Sequence, residues 1–405
     1  MEKKLYPLKF IPVASRRPWG GNALVTEMGK HFVECDDEGN ETVLGSDVLI
    51  GESWELADMG VEDSVVANGW LAGNTISEIM ETYLERVVGE KVYNYYGRQF
   101  PLLIKFLDIN DKLSVQVHPD DEVAAERYDS LGKAEIWYVM DAKPGAKMYC
   151  GFTREVSAQE FYDRCQNGTV EEILNVVYPK KGDVIFITPG TVHAADGGLL
   201  IAEIQESSDM TFRLYDWGRE FDPATARKMH LDEAIDVIDY KAFDSSLYQK
   251  GALWGEEACH HHEGETVQTL VECPQFNVSK IALTDALHIY TDKFESFIVY
   301  ICLEGAATIQ VPSTDASGAS CMETYDFEKG ETILVPADMP DFFLVPRDRS
   351  TLLLEGTTRP EEDVDGYIDP TTDAFLENED YEGLEDEADD ENEGTSAASP
   401  LNFFN

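Results

Sequence analysis

Four polar residues in strand-like segments of this sequence have side chains that could bind one metal ion together. Gln116 and His118 lie two residues apart where apolar and polar residues alternate, so an extended chain points both to one face. Glu135 enters the next apolar run, and His193 follows a later one. Two imidazoles, a carboxylate and an amide oxygen form a donor set suited to Zn²⁺, with Mn²⁺, Fe²⁺ or Co²⁺ as replacements. We therefore predict a metal site at these four residues.

The donor set favours catalysis over a structural metal role. It contains no sulfur and only three strong ligands, which leaves coordination positions open, as in catalytic zinc sites. Gln116 is the least usual ligand of the four. The competing interpretation is that each histidine simply packs in the core, which is the commoner role of a lone histidine in a strand. The convergence of several ligand types favours the metal site.

The elements that would position these side chains are short β-strands. Residues 113–202 form one strand pattern after another, interrupted by an amphipathic helix that opens at Ser157 and a second short helix predicted at 171–177. Strand and turn patterns return at residues 265–355. We predict a mainly β protein with two similar antiparallel β-barrels and short helical insertions.

The second barrel is expected to be a copy of the first without its metal ligands. Residues 329–336 echo residues 181–186, and Glu295 precedes Gly305 by ten positions, as Glu135 precedes Gly145. Asp341 occupies the position that corresponds to His193, and no Gln-x-His precedes Glu295 at the matching distance. We expect this barrel to serve a structural or assembly role.

These patterns divide the chain into five predicted regions. They are 1–110, N-terminal strands that complete the catalytic region; 111–215, the metal-binding barrel with a helical insertion at 155–178; 216–264, a helical connector; 265–357, the second barrel; and 358–405, an acidic disordered tail.

Charge and cysteine content narrow the possible partners. The 405 residues carry a formal charge of -48, which disfavours nucleic acid or an anionic membrane as a partner, and an anionic substrate would need a local basic pocket. Seven scattered cysteines without a C-x-x-C pair indicate reduced thiols and a cytoplasmic location. Phosphate-binding loops, dinucleotide-binding glycine motifs and G-x-S-x-G elbows are missing, which argues against the common nucleotide and acyl-transfer enzymes.

Two further features concentrate positive charge. Residues 16–22 place Arg16, Arg17 and Trp19 beside two glycines, which suits either an anion-binding loop or a tight turn around a packed indole. Lys105 lies in the apolar run at 101–108, and its local sequence favours a surface lysine that snorkels to water, because burying a lysine is unfavourable without a partner.

A set of motifs in this order resembles type I mannose-6-phosphate isomerases, also called phosphomannose isomerases, of the cupin superfamily. The motifs are WGG at 19–21, GESWE at 51–55, LSVQVHPDD at 113–121, GKAEIWY at 132–138, GTVHA at 190–194 and SDMTFR at 208–213. The resemblance spans roughly residues 5 to 357. Thr188 departs from it, since the family commonly has a proline there, and the acidic tail lies outside it.

The resemblance implies two cupin-type jelly-roll barrels and one Zn²⁺ per chain. It implies reversible isomerisation of mannose 6-phosphate and fructose 6-phosphate through an enediolate, which a divalent ion would stabilise. It places Arg213 and Lys133 in the active site, and Lys105, Glu203 and Trp19 in the substrate pocket. Three candidates remain for the base that abstracts the proton, namely Glu203, His118 and a water on the metal.

Other functions fit the same ligands, because the fold alone does not determine the reaction. A cupin dioxygenase or another metal-dependent epimerase would use a similar site. A sugar-phosphate-binding module that has lost turnover is a third possibility. For the isomerase we expect a small-molecule sugar phosphate as ligand, no nucleic-acid or membrane partner, and a monomer or weak homo-oligomer.

Overall fold

Strands dominate the computed structural model, and most of them belong to two pairs of facing antiparallel sheets. The structure describes residues 3–35, 41–224, 226–251, 259–262, 265–314 and 317–360. The mainly β fold class with short helical insertions is confirmed. The predicted acidic tail lies outside the described residues from 361 onward.

The N-terminal part supplies short strands and four short helices. They are β1 (Leu8–Lys9), β2 (Val13–Ser15), α1 (Ala23–Thr26), β3 (Val33–Cys35), β4 (Glu41–Val43), β5 (Glu52–Leu56), α2 (Ile76–Tyr83), α3 (Glu85–Val88) and α4 (Glu90–Tyr96). Helix α2 begins with a reciprocal capping box between Thr75 and Glu78. It ends at Leu84, whose positive φ of 49° turns the chain into α3.

The next segment contains the strands that carry the predicted ligands. It comprises β6 (Leu102–Ile109), β7 (Val115–Val117), α5 (Asp121–Tyr128), β8 (Glu135–Ala142), β9 (Lys147–Phe152), α6 (Ala158–Gln166), β10 (Leu174–Val177), β11 (Val184–Ile187), β12 (His193–Asp196), β13 (Leu199–Glu206), β14 (Phe212–Tyr215), α7 (Leu231–Ala234) and β15 (Tyr248–Gln249). A seven-stranded sheet in the order β15-β11-β8-β13-β6-β5-β2 faces a five-stranded sheet in the order β10-β9-β12-β7-β14. We call these two sheets the first sheet pair.

The C-terminal segment repeats this arrangement. It comprises β16 (Cys259–His262), β17 (Glu265–Glu272), β18 (Asn277–Leu283), β19 (Leu287–Ile289), β20 (Ile298–Glu304), β21 (Ala306–Thr314), β22 (Ser320–Glu328), β23 (Thr332–Val335), β24 (Phe342–Pro346) and β25 (Leu352–Thr357). A seven-stranded sheet, β1-β23-β20-β25-β18-β17-β16, faces a four-stranded sheet, β19-β24-β21-β22, and we call them the second sheet pair. The N-terminal β1 joins this pair through β23 rather than the first.

Strand β6 shows how the core positions the site. All eight of its residues are buried, because its two faces serve different layers. Ile104 and Phe106 join the main core, which also contains Val299 and Leu354 of the second sheet pair. The large sheets of the two pairs therefore pack back to back. The opposite face of β6, with Lys105, points between the two sheets of the first pair.

Two predictions of helix were wrong. The predicted helix at 171–177 is a single 3₁₀ turn, Val170–Glu172, followed by β10, whose valines pair with the exposed edge of β9. In the predicted helical connector, the described residues form only the four-residue helix α7, two 3₁₀ turns and short strands. Side chains rather than a helical ladder hold its first part, because Asp216 binds two arginines there.

Further 3₁₀ turns lie at Gly60–Glu62, Gly69–Leu71, Arg219–Phe221, Ser245–Leu247 and Thr291–Lys293. Among the described residues, no helix is long and apolar enough to cross a membrane. The domain boundaries, the cytoplasmic location and the oligomeric state stay predictions.

Candidate active site

A row of polar and aromatic side chains crosses the inner face of the seven-stranded sheet of the first pair. Strand register places Trp54 beside Lys105, Lys105 beside Glu203, and Glu203 beside Trp137. Directly opposed residues on neighbouring antiparallel strands bring their side chains into contact. Lys105, Glu203 and Trp137 of this row line a cavity of about 340 Å³ between the two sheets.

Three of the four predicted ligands meet beside this cavity, and one of them, Glu135, lines it. One potential ligand atom from each of His118, Glu135 and His193 lies within 4.8 Å of the others, and all three residues are buried. The His193 Nε2 atom is 3.2 Å from Glu135 Oε1, and the His118 Nε2 atom is 3.5 Å from Glu135 Oε2. Three distant sequence positions thus converge on one point.

The hydrogen bonds of the two imidazoles leave the same nitrogen available on each. His118 Nδ1 lies 2.8 Å from the Met210 carbonyl, and His193 Nδ1 lies 2.9 Å from the Thr191 carbonyl. A carbonyl accepts only, so each Nδ1 carries the proton and each Nε2 presents a lone pair. The buried Nε2 of His118 and Oε1 of Glu135 have no hydrogen-bond partner among the described residues. Such orphaned atoms fit a bound cation.

The electrostatics of the cluster favour the protonation states that a metal requires. Burial and the nearby Lys133 lower the pKa of His118 well below its ordinary value, so the imidazole stays neutral. Burial alone would raise the pKa of Glu135, but His118, His193 and Lys133 lower it below its ordinary value. A neutral imidazole and an ionised carboxylate are the forms that bind metal.

Gln116, the fourth predicted ligand, lies close to the cluster, but its amide nitrogen rather than its amide oxygen faces the cluster. Its Nε2 lies 3.2 Å from His193 Nε2, while Ser114 Oγ lies 3.4 Å from its Oε1. Amide oxygen and nitrogen are nearly equal in shape, so a flip of the terminal amide would exchange them. After that flip the oxygen would face the same point as the two imidazoles.

Lys105 is not the snorkelling surface lysine that its local sequence favoured. It is 3% exposed, and its Nζ lies 3.9 Å from Glu52 Oε2, 3.8 Å from Glu203 Oε1 and 3.6 Å from Asp209 Oδ1. Burial would lower the pKa of Lys105, but these carboxylates raise it, so the ammonium stays charged. The acids that compensate for burial come from other strands and loops.

Glu203 combines burial with competing charges. Its Oε2 accepts a 2.7 Å hydrogen bond from the indole Nε1 of Trp137. Burial and repulsion by Glu135 raise the pKa of Glu203 to about 7, against the opposing pull of Lys105 and Lys133. A carboxyl group with a pKa near neutrality is suited to giving and taking protons.

The other predicted pocket residues surround the cluster. Arg213 lies directly across from Gln116 in the β7–β14 register, and its Nη1 donates a 2.9 Å hydrogen bond to the Lys228 carbonyl. Burial and the neighbouring Arg227 lower the pKa of Arg213 to about 10. Lys133 Nζ lies 3.9 Å from Glu135 Oε2, and Trp19 forms part of the cavity wall.

Comparisons with known proteins identify the family of this chain. Residues 8–153 match the family described as phosphomannose isomerase type I, catalytic domain. Mannose-6-phosphate isomerase ManA of Bacillus subtilis is 32% identical over 84% of this chain and 95% of its own length. This chain belongs to the type I phosphomannose isomerase family.

Solved structures agree on the fold of the family. The crystal structure of mannose 6-phosphate isomerase from Bacillus subtilis superposes with a TM-score of 0.70 and 28% identity, covering 86% of this chain and 99% of that one. A zinc-bound mannose 6-phosphate isomerase, 16% identical, superposes with a TM-score of 0.64 over 87% of this chain and 99% of that one. At that identity the second likeness concerns the fold alone.

The structure adds residues that sequence reasoning missed. Glu52, Asp209 and Arg227 also line the cavity of this phosphomannose isomerase family member. Glu52 lay within the quoted GESWE motif and Asp209 within SDMTFR, but no local pattern distinguished Arg227. Six cationic side chains line the cavity against four acidic ones, in a chain with a charge of -48. The cations are Arg16, Arg17, Lys105, Lys133, Arg213 and Arg227, and the acids are Glu52, Glu135, Glu203 and Asp209.

Proposed function

We propose that this protein interconverts mannose 6-phosphate and fructose 6-phosphate in a zinc-dependent reaction that passes through an enediolate. The observation that carries the proposal is the buried cluster of His118, Glu135 and His193, which opens on a cavity with more cations than acids. Membership of the phosphomannose isomerase family supports the same reaction. A cavity of about 340 Å³ is within the range of small-molecule sites.

His118, Glu135 and His193 would hold the zinc ion, and Gln116 would join them through its amide oxygen. When bound, the ion would polarise the sugar carbonyl and stabilise negative charge that develops on its oxygen. The backbone carbonyls of Met210 and Thr191 fix both imidazoles in the orientation that this role requires.

Glu203 is the best candidate for moving the proton between C1 and C2 of the sugar. His118 is less suitable, because its Nδ1 donates to Met210 and its Nε2 belongs to the metal cluster. Glu203 lies in the same cavity with a pKa of about 7, so both of its protonation states are accessible near neutral pH. The Trp137 indole would hold the carboxylate in position.

Arg213 and Lys133 would stabilise the negative charge of the enediolate from two sides. Arg213 stands on β14 opposite Gln116, and Lys133 lies beside Glu135, so both cations are close to the predicted ligands. Fixed charges in a buried cavity stabilise developing charge more strongly than charges in water. Lys105 would bind substrate hydroxyls, while Trp19 would shape the pocket wall.

A coupled assay of mannose 6-phosphate conversion to fructose 6-phosphate tests the proposal. We expect turnover by the purified protein, loss of turnover after chelator treatment, and recovery on addition of zinc. Binding of sugar phosphate without turnover, with zinc present, would favour the non-catalytic module. Oxygen consumption with iron would favour a dioxygenase.

A further inference from the structure

The loop after β14 holds a buried carboxylate between two arginines. Asp216 is fully buried, and its Oδ1 accepts hydrogen bonds of 2.7 Å from Arg219 Nη2 and 2.6 Å from Arg227 Nη2. Its Oδ2 accepts a further 3.0 Å hydrogen bond from Arg227 Nε. The Asp216–Arg227 contact is therefore bidentate, which fixes the plane as well as the position of the guanidinium. The arginines lower the pKa of Asp216, although burial opposes this, so the carboxylate stays ionised.

The two arginines differ in what they reach. Arg227 lines the cavity, whereas Arg219 is not among its lining residues and donates from Nη2 to the Lys112 carbonyl at 2.7 Å. Asp216 uses Nε and Nη2 of Arg227, and no hydrogen bond from the Nη1 donors of that guanidinium is seen among the described residues. The same carboxylate thus anchors one structural arginine and one cavity arginine.

Arginine side chains cluster around Asp216. Asp216 is shared by Arg219 and Arg227, and it also attracts Arg213, whose pKa falls because of burial and the nearby Arg227. Arg213, Arg219 and Arg227 therefore lie close together around one buried carboxylate, and their like charges repel one another. An anion beside Arg227 would relieve this repulsion, and a planar guanidinium held by its Nε edge is well suited to a phosphate.

We propose that Arg227, oriented by Asp216, binds the phosphate group of the substrate and so selects phosphorylated over free sugar. This inference rests on the proposed function and names the part of the site that recognises the phosphate. Asp216 is a positioning residue, since it contacts Arg227 but does not itself line the cavity.

Steady-state kinetics with matched variants test the proposal. Arg227→Gln should raise KM for mannose 6-phosphate at least about tenfold, with kcat within about threefold, because a charged contact to the phosphate is lost. Arg227→Lys should recover part of that loss, because it retains the charge without the planar fork. Asp216→Asn should raise KM in the same direction with unchanged zinc content. Arg219→Gln is the control that also removes a partner of Asp216, and its KM should change less than about threefold.

Titration of the zinc-loaded protein with inorganic phosphate separates this inference from the proposed function. Wild type should bind phosphate at least about tenfold more tightly than Arg227→Gln, whether or not the protein turns over sugar. Absence of isomerase activity would remove the proposed function, while this phosphate comparison would still decide the role of Arg227. Equal phosphate affinity in wild type and Arg227→Gln, or equal KM increases in the Arg219→Gln and Arg227→Gln variants, would overturn the inference.

Discussion

The two sheet pairs contain a hydrogen bond between an aromatic residue and a glutamate at equivalent positions in their large sheets. In the first pair, Trp137 of β8 donates a hydrogen bond of 2.7 Å to Glu203, its cross-strand neighbour on β13. In the second pair, Tyr300 of β20 donates a hydrogen bond of 2.9 Å to Glu355, its cross-strand neighbour on β25. Each aromatic residue also has an equivalent cross-strand partner on its other side, where β8 pairs with β11 and β20 pairs with β23. Glu355 therefore corresponds to Glu203.

The pairs differ in the side chains that flank this contact. Two residues before the aromatic, the first pair has Glu135 and the second has Ile298. On the strand that pairs with the other side of the glutamate, the residue opposite the glutamate is Lys105 in the first pair and Ser279 in the second. A few substitutions on a repeated backbone thus remove the acid and the lysine that flank this contact in the first pair, which shows that function belongs to the site rather than to the fold.

The pairs also differ in one strand. In the five-stranded sheet, β14 lies outside β7 and carries Arg213, whereas the described four-stranded sheet ends at β19. The loop that follows β14 supplies Asp216 and Arg227. The extra strand and its loop therefore supply two of the six cations that line the cavity.

Replacement of the charged ligand should have the largest effect. Glu135→Gln should lower activity at least about 1000-fold and release zinc, because the cluster loses its only carboxylate. The matched variant Ile298→Val should reduce the free energy of unfolding by about 1 kcal/mol and leave zinc content unchanged. Metal analysis and the coupled assay measure both. Full zinc content in Glu135→Gln would remove Glu135 from the site.

The extra strand can be tested through Arg213. Arg213→Ala should lower kcat about 100-fold, because a fixed cation near the developing enediolate is lost, while zinc content stays that of wild type. Turnover close to wild type in this variant would exclude Arg213 from the mechanism.

The two corresponding acids should differ in their effect on turnover. Glu203→Gln should lower kcat by about 100-fold, the usual contribution of a general acid or base, whereas Glu355→Gln should leave kcat unchanged. Because the group must lose its proton to act as base, wild-type kcat should fall as the pH drops below the pKa of Glu203. That acidic limb should be absent from the residual activity of Glu203→Gln. Equal effects of the two substitutions on kcat would contradict the assignment.

The smallest contrast concerns the aromatic donors. Trp137→Phe should lower kcat only several-fold, because Glu203 loses the hydrogen bond that positions it. Tyr300→Phe should reduce the free energy of unfolding by about 1 kcal/mol and leave kcat unchanged. Denaturant unfolding together with kinetics distinguishes the two results; a fall in kcat for Tyr300→Phe would show that the second pair takes part in turnover.

Local sequence patterns were sufficient to predict features that depend on the geometry of a single strand. Alternation around Gln116 and His118 predicted that both side chains share a face, and strand geometry does bring His118, Glu135 and His193 together. The similarity of the two sheet pairs could also be recognised in the sequence, although counting back from the turn glycines matched Glu135 with Glu295. Strand register pairs it with Ile298 instead, because the turn before Gly305 is shorter than the one before Gly145.

Features that depend on distant partners could not be read from the chain. The burial of Lys105 requires Glu52, Glu203 and Asp209, which approach it only in the folded sheet. The predicted helical connector at 216–264 has helix-forming residues, but side-chain contacts such as Asp216 with Arg227 replace a longer helix, and α7 is the only α-helix that the described residues form there. Tertiary interactions decide both cases.

Metal content tests the central claim most directly. Purified wild-type protein should contain about one zinc ion per chain, as expected for a single site of this kind. A His118→Ala, His193→Ala double variant should contain almost none and should show no isomerisation of mannose 6-phosphate. Equal zinc content in the two proteins would contradict the account.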